Sequence, residues 1–240
     1  MKNLQNTANP SYQGDENLET MTVAVNYNNF LTKEIHKYAP KQIRKKVFDF
    51  GAGRGQFTNI WGNFDVDISA IEIDPRLQRH LKDMNITVTN LDQIPHSVAD
   101  YIYSINVLEH IEDDEVILMS LFSRLKENGV LLIYVPAFEL LWTPMDDAVG
   151  HVRRYSKLEI ETKLRKSGFE VQKSMYVDCA GFFATLLMKL FMNSEGTLKV
   201  GLVKAYDRYC FPLSRVLDTL FFRFFFGKNI EIIAKKPAEK

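Results

Sequence analysis

Apolar positions along the first 135 residues switch repeatedly between two periods. Phe30, Leu31, Ile35 and Tyr38 recur at helical spacing, which predicts a helix over Tyr27–Tyr38 that Pro40 stops. Lys46–Phe50 is a short apolar run that breaks into Gly51-Ala-Gly-Arg-Gly55, the pattern of a strand entering a glycine turn that opens a helix. Val66–Ile73 is a second strand, followed by Asp74-Pro75 as N-cap and first turn of a helix. Shorter strands are predicted at Ile86–Thr89 and Asp100–Ile105. Val116, Ile117, Met119, Leu121 and Leu125 then give an amphipathic helix over Asp113–Lys126, with Asn128-Gly129 as its end. Val130–Val135 is a buried strand closed by Pro136. Strands alternating with helices imply a parallel sheet covered on both faces, a doubly wound α/β fold of Rossmann-like type.

The pattern loosens after Pro136. Ala137–Tyr155 keeps no clean period, and a long irregular segment at a strand's carboxyl end is where such folds place ligand contacts. Ser156, with Glu159 as a capping box, opens a helix through Lys166 that Gly168 ends. Phe169–Tyr176 is a strand. Asp178–Phe226 is apolar and helical, inserted before a last strand at Asn229–Lys235. The expected organisation is an N-terminal tail over 1–23 and one domain over 24–236. Residues 137–155 form its substrate loop and residues 178–226 its helical cap.

Composition narrows the function. The chain has 240 residues, 46% of them hydrophobic, enough for one large domain. Thirty basic side chains balance thirty acidic ones, and this disfavours a nucleic-acid partner, whose binding draws on a basic excess. Two cysteines supply neither a disulfide framework nor a zinc cluster, so a reducing cytoplasm is the expected compartment and no metal is expected. The polar N-terminus lacks the apolar run of a signal peptide. Ala180–Met192 and Phe211–Phe226 are too short to span a membrane.

The glycine turn spaces its residues Gly51-x-Gly53-x-Gly55 and has Gln at 56, where a dinucleotide fingerprint wants its third glycine. Asp49 directs a carboxylate at this turn, which repels a pyrophosphate and attracts an ammonium. Glu72 ends the next strand, where an acid can accept both hydroxyls of a ribose. Asn90-Leu91-Asp92 and Ser104-Ile-Asn106 end the third and fourth strands along the same crevice. Taken singly, each feature has a plain alternative: a structural turn, or a solvated strand end. Their order along successive strands favours a nucleoside site.

Val47–Gly55, Ile71-Glu-Ile-Asp-Pro75 and Asn106-Val-Leu-Glu-His-Ile111 resemble the motifs of class I methyltransferases dependent on S-adenosylmethionine (SAM). That resemblance implies a seven-stranded sheet with an antiparallel last strand, and SAM as cofactor, leaving S-adenosylhomocysteine (SAH). It implies donor contacts from Asp49, Gly51, Gly53, Glu72, Asn90 and Asn106, with Ala52, Ile73, Leu91 and Asp92 beside them. Asn90 departs from the Asp common in the family, and Asp92 or the neighbouring backbone is the alternative adenine contact. Asp146 with Gly150-His-x-Arg-Arg-Tyr155 is similar to a bacterial subgroup found beside, or fused to, glycosyltransferases of the dolichyl-phosphate-sugar type.

The catalytic candidates are His151, His110, Asp146 and Tyr155. His151 is the candidate base, Asp146 its orienting acid, and Tyr155 a residue packing on substrate; structural roles are the alternative for each. Arg153 and Arg154 suit an acceptor phosphate or carboxylate, or pair with nearby acids. The expected acceptor is a small molecule, a glycan or a lipid-linked group, methylated at O or N. The aromatic segments of the cap suggest peripheral contact with the inner membrane surface or a homodimer interface. Two other readings are a SAM/SAH-binding module without catalysis and a nicotinamide-dependent oxidoreductase. Asn106-Val-Leu-Glu lacks the Pro-Pro-aromatic motif of enzymes that methylate flipped bases.

Overall fold

The computed structural model describes residues 20–39, 45–62, 64–191 and 199–238. The expected N-terminal tail therefore lies outside the described residues up to residue 19. Seven strands form one sheet: β1 (Lys45–Phe50), β2 (Val66–Ile71), β3 (Val88–Thr89), β4 (Ala99–Ile105), β5 (Leu125–Pro136), β6 (Glu170–Val177) and β7 (Asn229–Lys235). Their order is β3-β2-β1-β4-β5-β7-β6. The pairs from β3 through β5 are parallel, and β7 runs antiparallel to both β5 and β6. The expected class I sheet, with its inverted last strand, is present.

Chain reversal at β1 puts β2 on one side and β4 on the other, so the tips of β1 and β4 diverge from a shared switch point. Ligands of open α/β sheets bind there. Phe48, Phe50, Ile102, Leu131 and Ile133 face α3 (Asp114–Arg124) and α5 (Lys157–Lys166), which cover one side with Leu118, Leu121, Ile160 and Leu164. Val47, Tyr101, Tyr103 and Leu132 face the other side, under Ile35 of α1 (Val25–Tyr38) and Trp61. These side chains alternate along β1 and β4 between two buried faces, so each strand reads in the sequence as a short apolar run.

One boundary differs from expectation. The helix predicted over Asp113–Lys126 stops at Arg124, and β5 begins at once with Leu125 paired to Ala99. Lys126 ion-pairs with Asp100 at 2.9 Å, and Asn128 takes a positive φ of 63°. Asn128-Gly129 bends a strand here instead of ending a helix. Strand pairing and this ion pair outweigh the helical period that Leu125 continues.

The cap comprises α6 (Cys179–Phe191), α7 (Val200–Ala205), a π-turn at Tyr206–Cys210 and α8 (Phe211–Leu220). Part of the expected cap, 192–198, lies outside the described residues. Two carboxylates brace it, Asp218 within the cap at the start of α6 and Asp207 against the rest of the domain. Asp218 accepts from the amides of Asp178 and Cys179 at 2.8 and 3.0 Å. Asp207 accepts from the amides of Asn26 and Tyr27 at 2.9 and 2.8 Å. The first turn of α1 has no side-chain cap of its own. Asp207 thus satisfies open helix-start donors from far along the chain. Among the described residues, no helix is long and apolar enough to cross a membrane.

Candidate functional site

The glycine turn leaves β1 with three residues in the left-handed region: Gly51 (φ 77°), Gly53 (φ 56°) and Gly55 (φ 80°). Two of them are also crowded. A Cβ on Gly51 would come within 2.4 Å of the Val107 side chain, and one on Gly55 within 2.7 Å of Leu81. Gly53 is different: a Cβ there would meet nothing within 4 Å. The bend is thus pinned at both ends and open in the middle, which leaves its backbone accessible to a ligand.

Glu72 sits at the tip of β2 and is 7% exposed. Its carboxylate accepts from the amides of Gly53 (2.9 Å), Ile73 (2.7 Å) and Asp74 (2.9 Å). A carboxylate offers about four acceptor directions, so about one remains for a hydroxyl from outside. Accepting two hydroxyls requires the Gly53 amide to let go. Gln78, on α2 (Pro75–Asp83), donates to the Glu72 carbonyl at 2.6 Å and to the Asn90 side chain at 3.4 Å, joining the tips of β2 and β3. Ile73 beside it is 87% exposed, and Asn90 and Asp92 are exposed while Leu91 is half-buried. Asn106, at the tip of β4, is exposed with a positive φ of 54°, next to Tyr27. Gln78 and Tyr27 are neighbours of the crevice that the sequence did not single out as site residues. A polar helical position and an aromatic at a helix start carry no pattern of their own.

Asp49 is buried beneath the turn, and the Thr58 hydroxyl donates to it at 2.7 Å. Burial pushes its carboxyl up to about 7, against the Thr58 and Tyr103 hydroxyls that favour the charged form; the Glu72 charge raises it further.

A second cluster follows β4 directly. Val107 covers Gly51, and the next three residues, Leu108–His110, form a 3₁₀ turn. Glu109 on that turn is 0% exposed, and neither of its carboxylate oxygens has a hydrogen-bond partner. Burial pushes its carboxyl up to about 8. His110 stacks edge-on against His151 with ring centroids 4.8 Å apart, and burial and that neighbour push it down to about 4. The Nδ1 of His151 lies 2.7 Å from Asp146, and its Nε2 lies 3.8 Å from Glu109. Arg154 grips Asp146 with two contacts, at 2.8 and 3.0 Å, while the Thr143 amide and hydroxyl add two more. This network holds Asp146 charged, well below the usual carboxylate range.

Of the sequence candidates, His110, His151 and Asp146 are brought together and Tyr155 is not. Tyr155 is 0% exposed, and its hydroxyl donates to the Leu108 carbonyl and to Asp114 at 3.1 and 2.8 Å. Its ring belongs to the core under α5, so it cannot pack on a substrate. Arg153 pairs with Asp114 at 2.9 Å, and Arg154 with Asp146; both guanidiniums are engaged by acids. The loop expected over Ala137–Tyr155 contains a short helix, α4 (Pro144–Val149). Thr143 as N-cap, Pro144 at the first position and left-handed Gly150 (φ 76°) at the end signal it. Six residues are too few to show a helical period.

The family described as "Methyltransferase domain" matches residues 24–174. The chain belongs to this family. Its sheet carries the class I methyltransferase fold, whose methyl donor is SAM. A SAM-dependent methyltransferase of Thermotoga maritima superposes with a TM-score of 0.63 at 14% identity, covering 93% of this chain and 96% of that one. Phosphoethanolamine N-methyltransferase 2 of Haemonchus contortus, crystallised with SAM, gives 0.54 at 18% identity, over 87% of this chain and 52% of that one. A 4+2 cyclase, SpnF, gives 0.61 at 15% identity, over 95% and 97%. These likenesses show the fold, and the cyclase shows that the fold hosts other chemistry. A search of curated protein sequences returns no match.

Asp49 gives this methyltransferase a pH signature. The folded chain holds Asp49 with a pKa near 7, above its ordinary 3.8, so the fold binds a proton that the unfolded chain gives up. Asp49 therefore subtracts stability as pH rises from about 4 to 7. A ligand ammonium beside the carboxylate reverses the preference and expels the proton. SAH affinity is expected to rise about eightfold from pH 6 to 7.5, with proton release at pH 6.5. Calorimetry in two buffers of different ionisation heat reads this directly. Asp49→Asn should abolish the pH step, and an unchanged step would remove Asp49 from the ligand.

Proposed function

We propose that this methyltransferase transfers the SAM methyl group to a hydroxyl of a glycan- or lipid-linked acceptor. The donor lies across the glycine turn, and the acceptor meets the Glu109–His110–His151 cluster. The observation that carries this reading is adjacency: Val107 closes on Gly51, and the cluster begins two residues later. In this reading Gly51, Ala52 and Gly53 offer backbone to the donor, and Asp49 takes its ammonium. Glu72 takes a ribose hydroxyl, Ile73 and Leu91 flank the adenine, and Asn90, Asp92 and Asn106 supply its polar contacts. The opening over Gly53, the poised Asp49 and the bare Ile73 fit such a nucleoside.

When bound, the donor supplies an electrophilic methyl group that needs no protein activation. The chain's residues then have two tasks, alignment and relief of the acceptor's proton. The 3₁₀ turn and the Asp146–His151 contact fix the groups that perform the second. His151, oriented by Asp146, is the proton acceptor in the simplest form of this reading.

Support for a glycan- or lipid-linked acceptor comes from the resemblance at Gly150–Tyr155 and from the cap. Leu220, Phe221, Phe224 and Phe225 stand exposed together near Arg223. Apolar groups beside a cation suit a membrane surface, and a second copy of the chain is the competing occupant. Binding to anionic liposomes is expected, and serine at 221, 224 and 225 together should reduce it at least fivefold in a flotation assay. Concentration-dependent dimers with no flotation would assign the patch to the second copy.

The test of the whole reading pairs SAH calorimetry with radiolabelled SAM offered to lipid, glycan and metabolite fractions. Label should enter the lipid or glycan fraction. SAH binding with no labelled product in any fraction would leave a non-catalytic module, and label only in small metabolites would overturn the acceptor class.

A further inference from the structure

We propose that Glu109, His110 and His151 together bind a divalent first-row transition-metal ion, leaving a coordination position open to an oxygen of the acceptor. Each residue offers one ligand atom, and the three atoms lie within 4.8 Å of one another. Glu109 and His110 come from the 3₁₀ turn after β4 and His151 from the loop after α4, so the site exists only in the folded chain. The sequence predicts no metal because two cysteines cannot form a zinc cluster, and this site uses no cysteine.

Three features point to an ion. First, the Glu109 carboxylate is sealed from solvent with neither oxygen hydrogen-bonded, and the His151 Nε2 stands 3.8 Å from it. A buried polar group without a partner costs about 1–3 kcal/mol, more if charged, and a cation removes that cost. Arg154 acts on Glu109 only through its charge: three of its N–H groups go to Asp146 and the Ala137 carbonyl, and it makes no hydrogen bond to Glu109.

Second, both imidazoles are held by their outer nitrogens. The Nδ1 of His151 faces the Asp146 carboxylate at 2.7 Å, and the Nδ1 of His110 faces the Gly150 carbonyl at 3.2 Å. Both partners accept hydrogen bonds, so each Nδ1 carries the proton and each Nε2 keeps its lone pair. Fixing a histidine tautomer with a carboxylate or carbonyl in this way is the usual support of a metal ligand.

Third, the outer shell is itself braced. Asp146 is clamped by Arg154 and Thr143, and Gly150 takes the left-handed conformation that aims its carbonyl at His110. Such bracing holds rings in place for a ligand.

Two imidazoles and one carboxylate favour Zn, Mn, Fe or Co ions over Mg or Ca. Metal–ligand bonds of about 2.1 Å put neighbouring ligand atoms about 3.0–3.5 Å apart, so binding draws the three together by about 1 Å. Three protein ligands leave room for a substrate oxygen. This inference rests on the methyl-transfer reading for what fills that position. There an acceptor hydroxyl releases its proton to water, its oxygen forms the bond to carbon, and the carbon–sulfur bond breaks with its electron pair returning to sulfur.

The test uses Co(II) titrated into chelator-treated protein, read by visible absorption and calorimetry. One equivalent is expected to bind with visible d–d absorption. His151→Ala and Glu109→Gln should each weaken it at least tenfold, while His80→Ala, on the exposed face of α2, leaves it unchanged. Asp146→Asn should weaken it by about 10–100-fold while all three ligands remain. Thermal unfolding of each variant confirms that it is folded. Absent Co(II) binding, or binding equally tight in a Glu109→Gln/His151→Ala double variant, would overturn the site. SAH binding, measured separately, decides the donor reading whatever Co(II) does.

Discussion

Glu72→Ala is expected to reduce SAH affinity at least 100-fold and to destabilise the fold by about 2–4 kcal/mol. Both effects follow from what the carboxylate holds. It accepts three amide hydrogens, from Gly53, Ile73 and Asp74, in an almost closed environment. Alanine leaves those donors without a partner, at about 1–3 kcal/mol for each that stays buried. It also releases the middle of the glycine turn from the tip of β2, so the backbone that should meet the ligand loses its position. Glu72→Gln sharpens the test. Its amide oxygen can still serve Ile73 and Asp74, but its NH₂ then faces the Gly53 N–H. The glutamine variant should fold nearly as well as the parent and still lose at least tenfold in SAH affinity. If alanine at 72 leaves SAH binding intact, the ribose is held elsewhere. Calorimetry and thermal unfolding together read both effects.

His151→Ala should lower turnover by 10²–10⁴-fold, the span expected when a group that relieves a reacting proton is lost, with SAH affinity within twofold of the parent. The proposed donor contacts lie on the tips of β1 to β4, whereas His151 touches Asp146, Glu109 and His110. This separation gives the variant its meaning. Loss of turnover with intact SAH binding places His151 on the acceptor side. Full turnover would reduce the cluster to a structural role. The outcome holds whether His151 takes the proton itself or binds an ion that loosens it, and the Co(II) titration separates these two.

The proposed donor crevice was more legible in the sequence than the proposed acceptor cluster, for a physical reason. Strand tips and glycine turns advertise themselves locally. Lys46–Phe50 running into Gly51 fixes where a ligand approaches, and Glu72 before Asp74-Pro75 fixes the next tip. The acceptor cluster has no such local code. Glu109 reads as one more acid on a polar turn, and nothing in its neighbours announces that it is buried without a partner. Its meaning arises only when the chain returns at His151. The misassigned Tyr155 fails in the opposite direction: an aromatic in a polar motif resembles a substrate platform, yet Asp114 and the Leu108 carbonyl had already claimed its hydroxyl. Leu125 misled because one apolar residue satisfies both a helical period and a strand edge, and pairing with Ala99 decided between them.

The reach of Asp207 into the start of α1 makes the C-terminal helices part of the first helix's support. Because one side chain of the C-terminal helices terminates the first helix, those helices cannot be exchanged as an independent module. A graft from another methyltransferase would leave the amides of Asn26 and Tyr27 bare and loosen the aromatic that stands beside Asn106. Swapped chimeras should therefore bind donor poorly unless they carry an acid at the position of Asp207.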